Sequence, residues 1–87
     1  MCTMISEHTH IDGSGKGTGG WFTLDRVNVS YDHPFHIPLE HALNLDFVNE
    51  GMGPGARVAV ELSAPAARAL VDTIMAVLRQ AEAGGHL

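Results

Sequence analysis

The residues of this chain best suited to chemistry are its histidines, which are concentrated in the N-terminal half. Imidazole binds divalent transition metals and titrates near neutral pH, so a histidine cluster can form a metal site or a general acid–base site. Segments of irregular structure between rigid elements often carry such sites. Five of the six histidines lie between residues 8 and 41, namely His8, His10, His33, His36 and His41.

The spacing of these histidines indicates how they can converge. Glu7-His8-Thr9-His10 places two imidazoles two residues apart, hence on one face of a strand. The segment from Asp32 to His36 adds two more in a stretch that prolines stiffen, and Glu40-His41 follows shortly afterwards. We expect loop and strand geometry to bring three or four of these groups together, with Cys2 as a further ligand.

A mixture of imidazole, thiolate and carboxylate suits zinc best, with copper, nickel and iron as alternatives. A closed site of four protein ligands would be structural, whereas three ligands and an open position would be catalytic. In the catalytic case the metal would activate water or orient a small polar substrate, with Glu7 or Glu40 as the general base.

Two alternatives need no metal. One is a homodimeric module whose polar groove binds a small anionic or polar metabolite, with one histidine as a general base. The other is an accessory protein whose histidines lie at an interface.

If His8 and His10 share a sheet face with Asn28 and Asn44, that face becomes a polar groove. Asp46 or Asp32 could then orient an imidazole.

The elements that must position these groups follow from hydrophobic periodicity. The pattern predicts four mainly antiparallel strands and one C-terminal helix packed on one face of the sheet, a single α+β domain of order ββββα over residues 1–87. Asp25-Arg26 is expected to contain a bulge, since the apolar parity of the second strand changes there. The predicted strands are 2–11, 21–32, 40–49 and 56–62, and the predicted helix runs from a cap at Ser63 to about Glu82.

The glycine-rich run between the first two strands, residues 12–20, predicts a flexible loop. It does not match a phosphate-binding loop, because Gly17 follows Lys16 and a strand follows the run instead of a helix. A mobile hairpin loop, or a lid whose Lys16 reaches an anionic ligand, is the expected role.

One helix cannot cover both faces of a four-stranded sheet, so apolar surface around Trp21 and Phe22 is expected to remain exposed. That surface predicts a homodimer. With one cysteine, the chain forms no internal disulfide, which leaves a metal or oligomerisation to supplement a thin core.

Charge and composition argue against several classes of function. The formal net charge is −5 and the five lysines and arginines are scattered, so no nucleic-acid surface is expected. No apolar run approaches the roughly 20 residues that span a bilayer. The N-terminus lacks the pattern of a signal peptide, which predicts a cytoplasmic protein with a reduced cysteine.

Four motifs cover nearly the whole chain: MCTxIxEH from Met1, GSGKGxxGWF from Gly13, DHPxHxPxEHxLNxDFVN from Asp32 and GPxARVAVEL from Gly53. With these motifs the chain resembles a family of small bacterial proteins of unknown function. The resemblance implies a fold unit and candidate positions, without an activity. It favours the metal ligands Cys2, His8, His33, His36 and His41 over His10 and His86.

Overall fold

The computed structural model describes residues 5–87 as four strands followed by one helix. The strands form a single sheet in the order in which they occur in the chain, and every neighbouring pair is antiparallel. This confirms the predicted α+β architecture of order ββββα. The elements are β1 (Ile5–Gly17), β2 (Gly20–Asp32), β3 (Ala42–Val48), a 3₁₀ turn (Glu50–Met52), β4 (Arg57–Leu62) and α1 (Ala64–Ala83).

The glycine-rich run belongs to β1, so the prediction of a flexible loop or lid is wrong. Lys16 pairs with Trp21 across a tight hairpin. A Cβ atom at Gly15 would lie 3.1 Å from Leu24 Cδ2 and 3.4 Å from Val58 Cγ2. Glycine is therefore present because the hairpin lies close against its neighbours, a use of glycine that composition alone does not distinguish from flexibility.

The bulge lies where the parity change predicts it, but its extra residue is in β1 rather than in β2. His10 pairs with Arg26, and Gly13 pairs with Leu24. Two residues of β1 thus lie opposite Asp25 alone, which is the arrangement of a β-bulge. This irregularity reconciles the two halves of the hairpin, so that Leu24 packs against Gly15 beside Val58.

The two faces of the sheet differ in polarity, because directly paired residues point to the same side. His8 pairs with Asn28, Asn28 with Asp46, and Asp46 with Ala59, so these residues define the polar face. The opposite, apolar face consists of three paired rows of side chains: Val27, Val29 and Tyr31; Leu43, Leu45 and Phe47; Val58, Val60 and Leu62.

Helix α1 begins where its sequence predicts. The Ser63 Oγ accepts a hydrogen bond from the Ala66 backbone N–H at 3.2 Å, and Pro65 lies in the first turn. The first half of the helix faces Leu43 and Leu62 across a cleft on the apolar face. No helix within residues 5–87 has the length and apolar character needed to cross a bilayer.

The chain buries few side chains. Within residues 5–87 only Val27, Ala42 and Ala56 form a buried core, and no large side chain is fully buried. The radius of gyration is 14.8 Å, whereas a compact chain of this length has about 12 Å. The second half of α1 contributes to this extension, since Ile74 and Leu78 remain about half exposed.

Candidate functional site

The connection between β2 and β3 forms an exposed, irregular loop over residues 33–41, which we call the histidine loop. Pro34 and Pro38 have no backbone N–H to contribute to a strand ladder, so the sheet cannot extend through this segment. Three of the predicted metal ligands, His33, His36 and His41, lie in this loop.

The carboxylate of Glu61 anchors the histidine loop to β4. Its Oε2 accepts a hydrogen bond from the Phe35 backbone N–H at 2.6 Å. Its Oε1 accepts from the N–H groups of His36 at 3.0 Å and Ile37 at 2.9 Å. The N–H of Ile37, followed by that of Phe35, holds the pKa of Glu61 below its ordinary value, because these donors stabilise the charged carboxylate.

Glu61 was not identified as a candidate residue from the sequence. Glu61 pairs with Asn44, which places it on the polar face. The prolines of the histidine loop are the sequence feature that could have indicated such an anchor. A segment that cannot join a ladder leaves backbone N–H groups that need another acceptor.

Two of the predicted ligands come together. The rings of His33 and His41 stack with centroids 5.0 Å apart and planes inclined by 20°. The Tyr31 ring also stacks with that of His41, with centroids 5.9 Å apart and planes inclined by 16°. The Asp32 Oδ1 accepts a hydrogen bond from the His33 backbone N–H at 2.7 Å, which fixes the first residue of the loop.

The other predicted ligands lie elsewhere. His8 and His10 share the polar face, as their spacing predicts, but they belong to β1, with β2 between them and β3. The His10 Nε2 lies 3.2 Å from Asp12 Oδ1. The position of Cys2 is outside the described residues. Within residues 5–87 no three histidine, cysteine, aspartate or glutamate side chains are grouped as a metal site would require.

The two predicted general bases lie on different elements. Glu7 pairs with Val29, which places it on the apolar side of the sheet, opposite to His8. Glu40 is exposed in the histidine loop, next to His41 in the chain. His86 follows the end of α1.

A groove of about 220 Å³ lies on the polar face beneath the histidine loop. We call it the polar groove. Asp32, Asp46 and Glu61 contribute three carboxylates, and Arg57 contributes a guanidinium. Further side chains that line the groove include Ser30, His33, Phe35 and Asn44.

The Asp46 carboxylate pairs with Arg57. Its Oδ1 lies 2.6 Å from the Arg57 Nη2 and accepts from Nε at 2.8 Å. His8 shares the face of Asp46, as predicted, but is two strands away, about 9–10 Å at the usual strand spacing. Asp46 therefore positions the arginine, and the expectation that it orients the His8 imidazole finds no contact.

Asn44 lines the polar groove, and among the described residues the oxygen of its side-chain amide is unsatisfied. Its Nδ2 donates to the Ala42 carbonyl at 3.3 Å and approaches that of Asp32 at 3.5 Å. Its Oδ1 is buried and has no hydrogen-bond partner within residues 5–87, which is rare for a buried acceptor. A donor in the groove would reach this oxygen only after the Asn44 side chain turned toward the groove.

Comparison with known proteins gives a family. A family model described as "Family of unknown function (DUF6295)" matches residues 1–87. No curated protein and no solved structure matches the chain.

Proposed function

The chain belongs to the DUF6295 family, whose function is unknown, and we propose that it is a small ligand-binding module whose site is the polar groove. The observation that carries the proposal is the buried Asn44 Oδ1, an acceptor without a donor within residues 5–87, on a residue that lines the groove. A turn of the Asn44 side chain toward the groove would present this oxygen to a ligand that donates a hydrogen bond, which would offset the cost of its burial.

The charges of the groove favour a ligand with amine or hydroxyl donors over an anion. Asp32, Asp46 and Glu61 face one cation, Arg57, which is already paired with Asp46. An anionic ligand would meet this excess of carboxylates, whereas an ammonium group would be attracted by them. The proposal therefore narrows the sequence-based alternative of an anionic or polar metabolite to a donor-bearing polar molecule.

The histidine loop supplies the remaining features of a binding site. Glu61 fixes the backbone of the loop, and Phe35 next to this anchor is 97% exposed at the groove. Small-molecule sites combine apolar or aromatic surface with a few oriented polar groups. Phe35 would cover the apolar part of a ligand whose donors face Asn44 and Asp32.

A two-dimensional amide NMR titration tests the proposal. Putrescine and ethanolamine would be the donor probes, with succinate as the anionic comparison. We expect the amines to shift the amide signals of Ser30, Asn44 and Glu61, and succinate to leave them unchanged. Asn44→Ala should remove the shifts. Asn28→Ala, which changes the same residue type on the same face outside the groove, should retain them.

Two results would reject this proposal. One is binding of succinate in preference to the amines. The other is an amine response that Asn44→Ala leaves intact, since the Asn44 side chain would then take no part in binding the ligand.

A second candidate function, metal binding, is favoured by the stacked pair His33 and His41. If the two rings turned out of their stack, their nitrogen lone pairs could converge and supply part of a zinc site, which needs three or four ligands. We propose Cys2, three positions before Ile5 in the sequence, as the third ligand; Ile5 pairs with Tyr31, whose ring stacks on His41. Zinc as the metal and the cytoplasm as the compartment remain predictions.

Metal content per chain, measured by plasma mass spectrometry on untagged protein, tests this second candidate. His33→Ala, His41→Ala and Cys2→Ala should each lower both bound zinc and the melting temperature, because a ligand of the native state adds stability. His86→Ala is the matched control and should change neither. Protein that contains no zinc and binds none on titration would reject metal binding without affecting the groove proposal.

A further inference from the structure

The apolar face and helix α1 leave more surface exposed than a chain of this size can stabilise alone. The chain of 9.3 kDa exposes 6521 Å². A folded monomer of that mass exposes about 5,000 Å², so the excess is about 1,500 Å². A stable dimer of standard size buries about 800 Å² per partner, and obligate dimers bury more.

A large share of the exposed apolar side chains belongs to α1, on one side of the sheet. An open cleft of about 490 Å³ separates the first half of α1 from the apolar face. Leu43, Leu62 and Val71 are among its lining residues. Beyond the cleft the apolar stripe of α1 continues without cover, with Val71 and Val77 each 59% exposed.

We propose that a second copy of this chain covers this side, with the apolar stripe of each α1 helix in the interface. The occupant must be present whenever the chain folds, because the buried core consists of Val27, Ala42 and Ala56 within residues 5–87. A second copy meets that condition, and homodimers with two-fold symmetry are the commonest oligomers. This proposal is independent of the polar groove, which lies on the other face.

Helix α1 separates its apolar stripe from its charges. At 100° per residue, Leu70, Ile74 and Leu78 lie within about 80° of arc, whereas Asp72 and Arg79 lie about 140° or more round the helix from Ile74. A partner that contacts the stripe therefore leaves these two charges outside the contact.

Sedimentation analysis across a concentration series tests the proposal on the full chain. The wild-type protein should have twice the 9.3 kDa mass of one chain. Ile74→Asp should raise the dissociation constant at least about tenfold, since it places a carboxylate at the centre of the contacting stripe of both chains. The melting temperature of the wild type should also rise with protein concentration.

Gln80→Asp introduces the same residue about 120° round the helix from Ile74 and is the matched control, which should leave the dissociation constant unchanged. A cooperatively folded monomer at all concentrations would overturn the dimer. A dimer that Ile74→Asp weakens no more than Gln80→Asp does would overturn the placement of the α1 stripe in the interface.

Discussion

The polar and apolar faces of the sheet differ in how far one chain completes them. On the polar face, ion pairs and hydrogen bonds connect the side chains, and Glu61 satisfies three backbone donors of the histidine loop. On the apolar face, α1 covers part of the sheet, and its own stripe remains open. A polar group needs only its own hydrogen-bond partner, whereas hydrophobic stabilisation grows with the apolar surface that is buried. One chain alone buries little of its apolar surface.

From this difference between the two faces, we expect substitutions on the apolar side to destabilise the whole fold and substitutions on the polar side to have local effects. The largest effect is expected for Gly15→Val, which forces a branched side chain against Leu24 and Val58. Overpacking of this kind costs about 1–3 kcal/mol. Thermal unfolding should show a melting temperature about 4–20 °C lower.

Gly19→Ala is the matched control for this substitution, because a Cβ at Gly19 meets no atom within 4 Å. Its melting temperature should equal or slightly exceed that of the wild type. If Gly15→Val behaves like Gly19→Ala, the hairpin does not pack against β4 in solution, and the glycine run is the flexible loop that composition suggests.

Glu61→Gln is expected to have the next largest effect, confined to the histidine loop. A neutral amide accepts with a single oxygen, so the hydrogen bonds to Phe35, His36 and Ile37 cannot all survive. Amide hydrogen exchange at these three positions should become faster, with little change in β3. Glu40→Gln, within the same loop, should leave their exchange unchanged.

The same anchor gives a pH dependence whose sign follows from the lowered pKa of Glu61. Its contribution to stability is fully present above the ordinary glutamate pKa of about 4.3. It is lost as pH falls through the lower pKa of the folded state. Exchange-derived protection of the loop should therefore fall below about pH 4 in the wild type, and Glu61→Gln should lack this transition.

Ser63→Ala should have a smaller effect, spread over the start of α1. It removes the hydrogen bond that the Ser63 Oγ accepts from the Ala66 N–H, which is worth about 1 kcal/mol. Urea unfolding should show a lower midpoint with an unchanged slope. Thr73→Ala removes a hydroxyl from the middle of the helix and is the control for loss of a hydroxyl without loss of the cap. If Thr73→Ala lowers the urea midpoint as much as Ser63→Ala does, Ser63 does not act as a helix cap.

Asp46→Asn should have the smallest effect. Its partner Arg57 is about half exposed, and ion pairs of this kind contribute about 1 kcal/mol or less. We expect a change in the free energy of unfolding within that limit, reduced further at high salt. A larger loss would mean that the polar face also contributes to the global stability of the fold.

Local patterns predicted the elements well. These patterns are the alternation along the strands, the Ser63 cap and the helical periodicity. Each depends on residues that are close together in the sequence, so the sequence alone is enough to predict the strands and the helix. The change of parity at Asp25-Arg26 located the bulge. It did not indicate which strand holds the extra residue. That depends on how many residues each of the two paired strands has at the bulge, which only the pairing shows.

The site was harder to predict, because its contacts join distant positions. Glu61 acts on residues 24–26 positions away. Strand parity correctly placed His8 and His10 on one face, but their distance from the histidine loop depends on the strand order. The glycine run failed for a different reason, since the same residue permits both flexible chain and close packing.

The close approach at the glycine hairpin also affects the edges of the sheet. Strands β1 and β4 are the two edge strands, and they contact each other because the hairpin curls toward β4. A Cβ at Gly17 would lie 3.5 Å from the Arg57 carbonyl oxygen, so backbone approaches backbone there. The curl thus shields part of both edges from strand addition by other chains, a common route to aggregation.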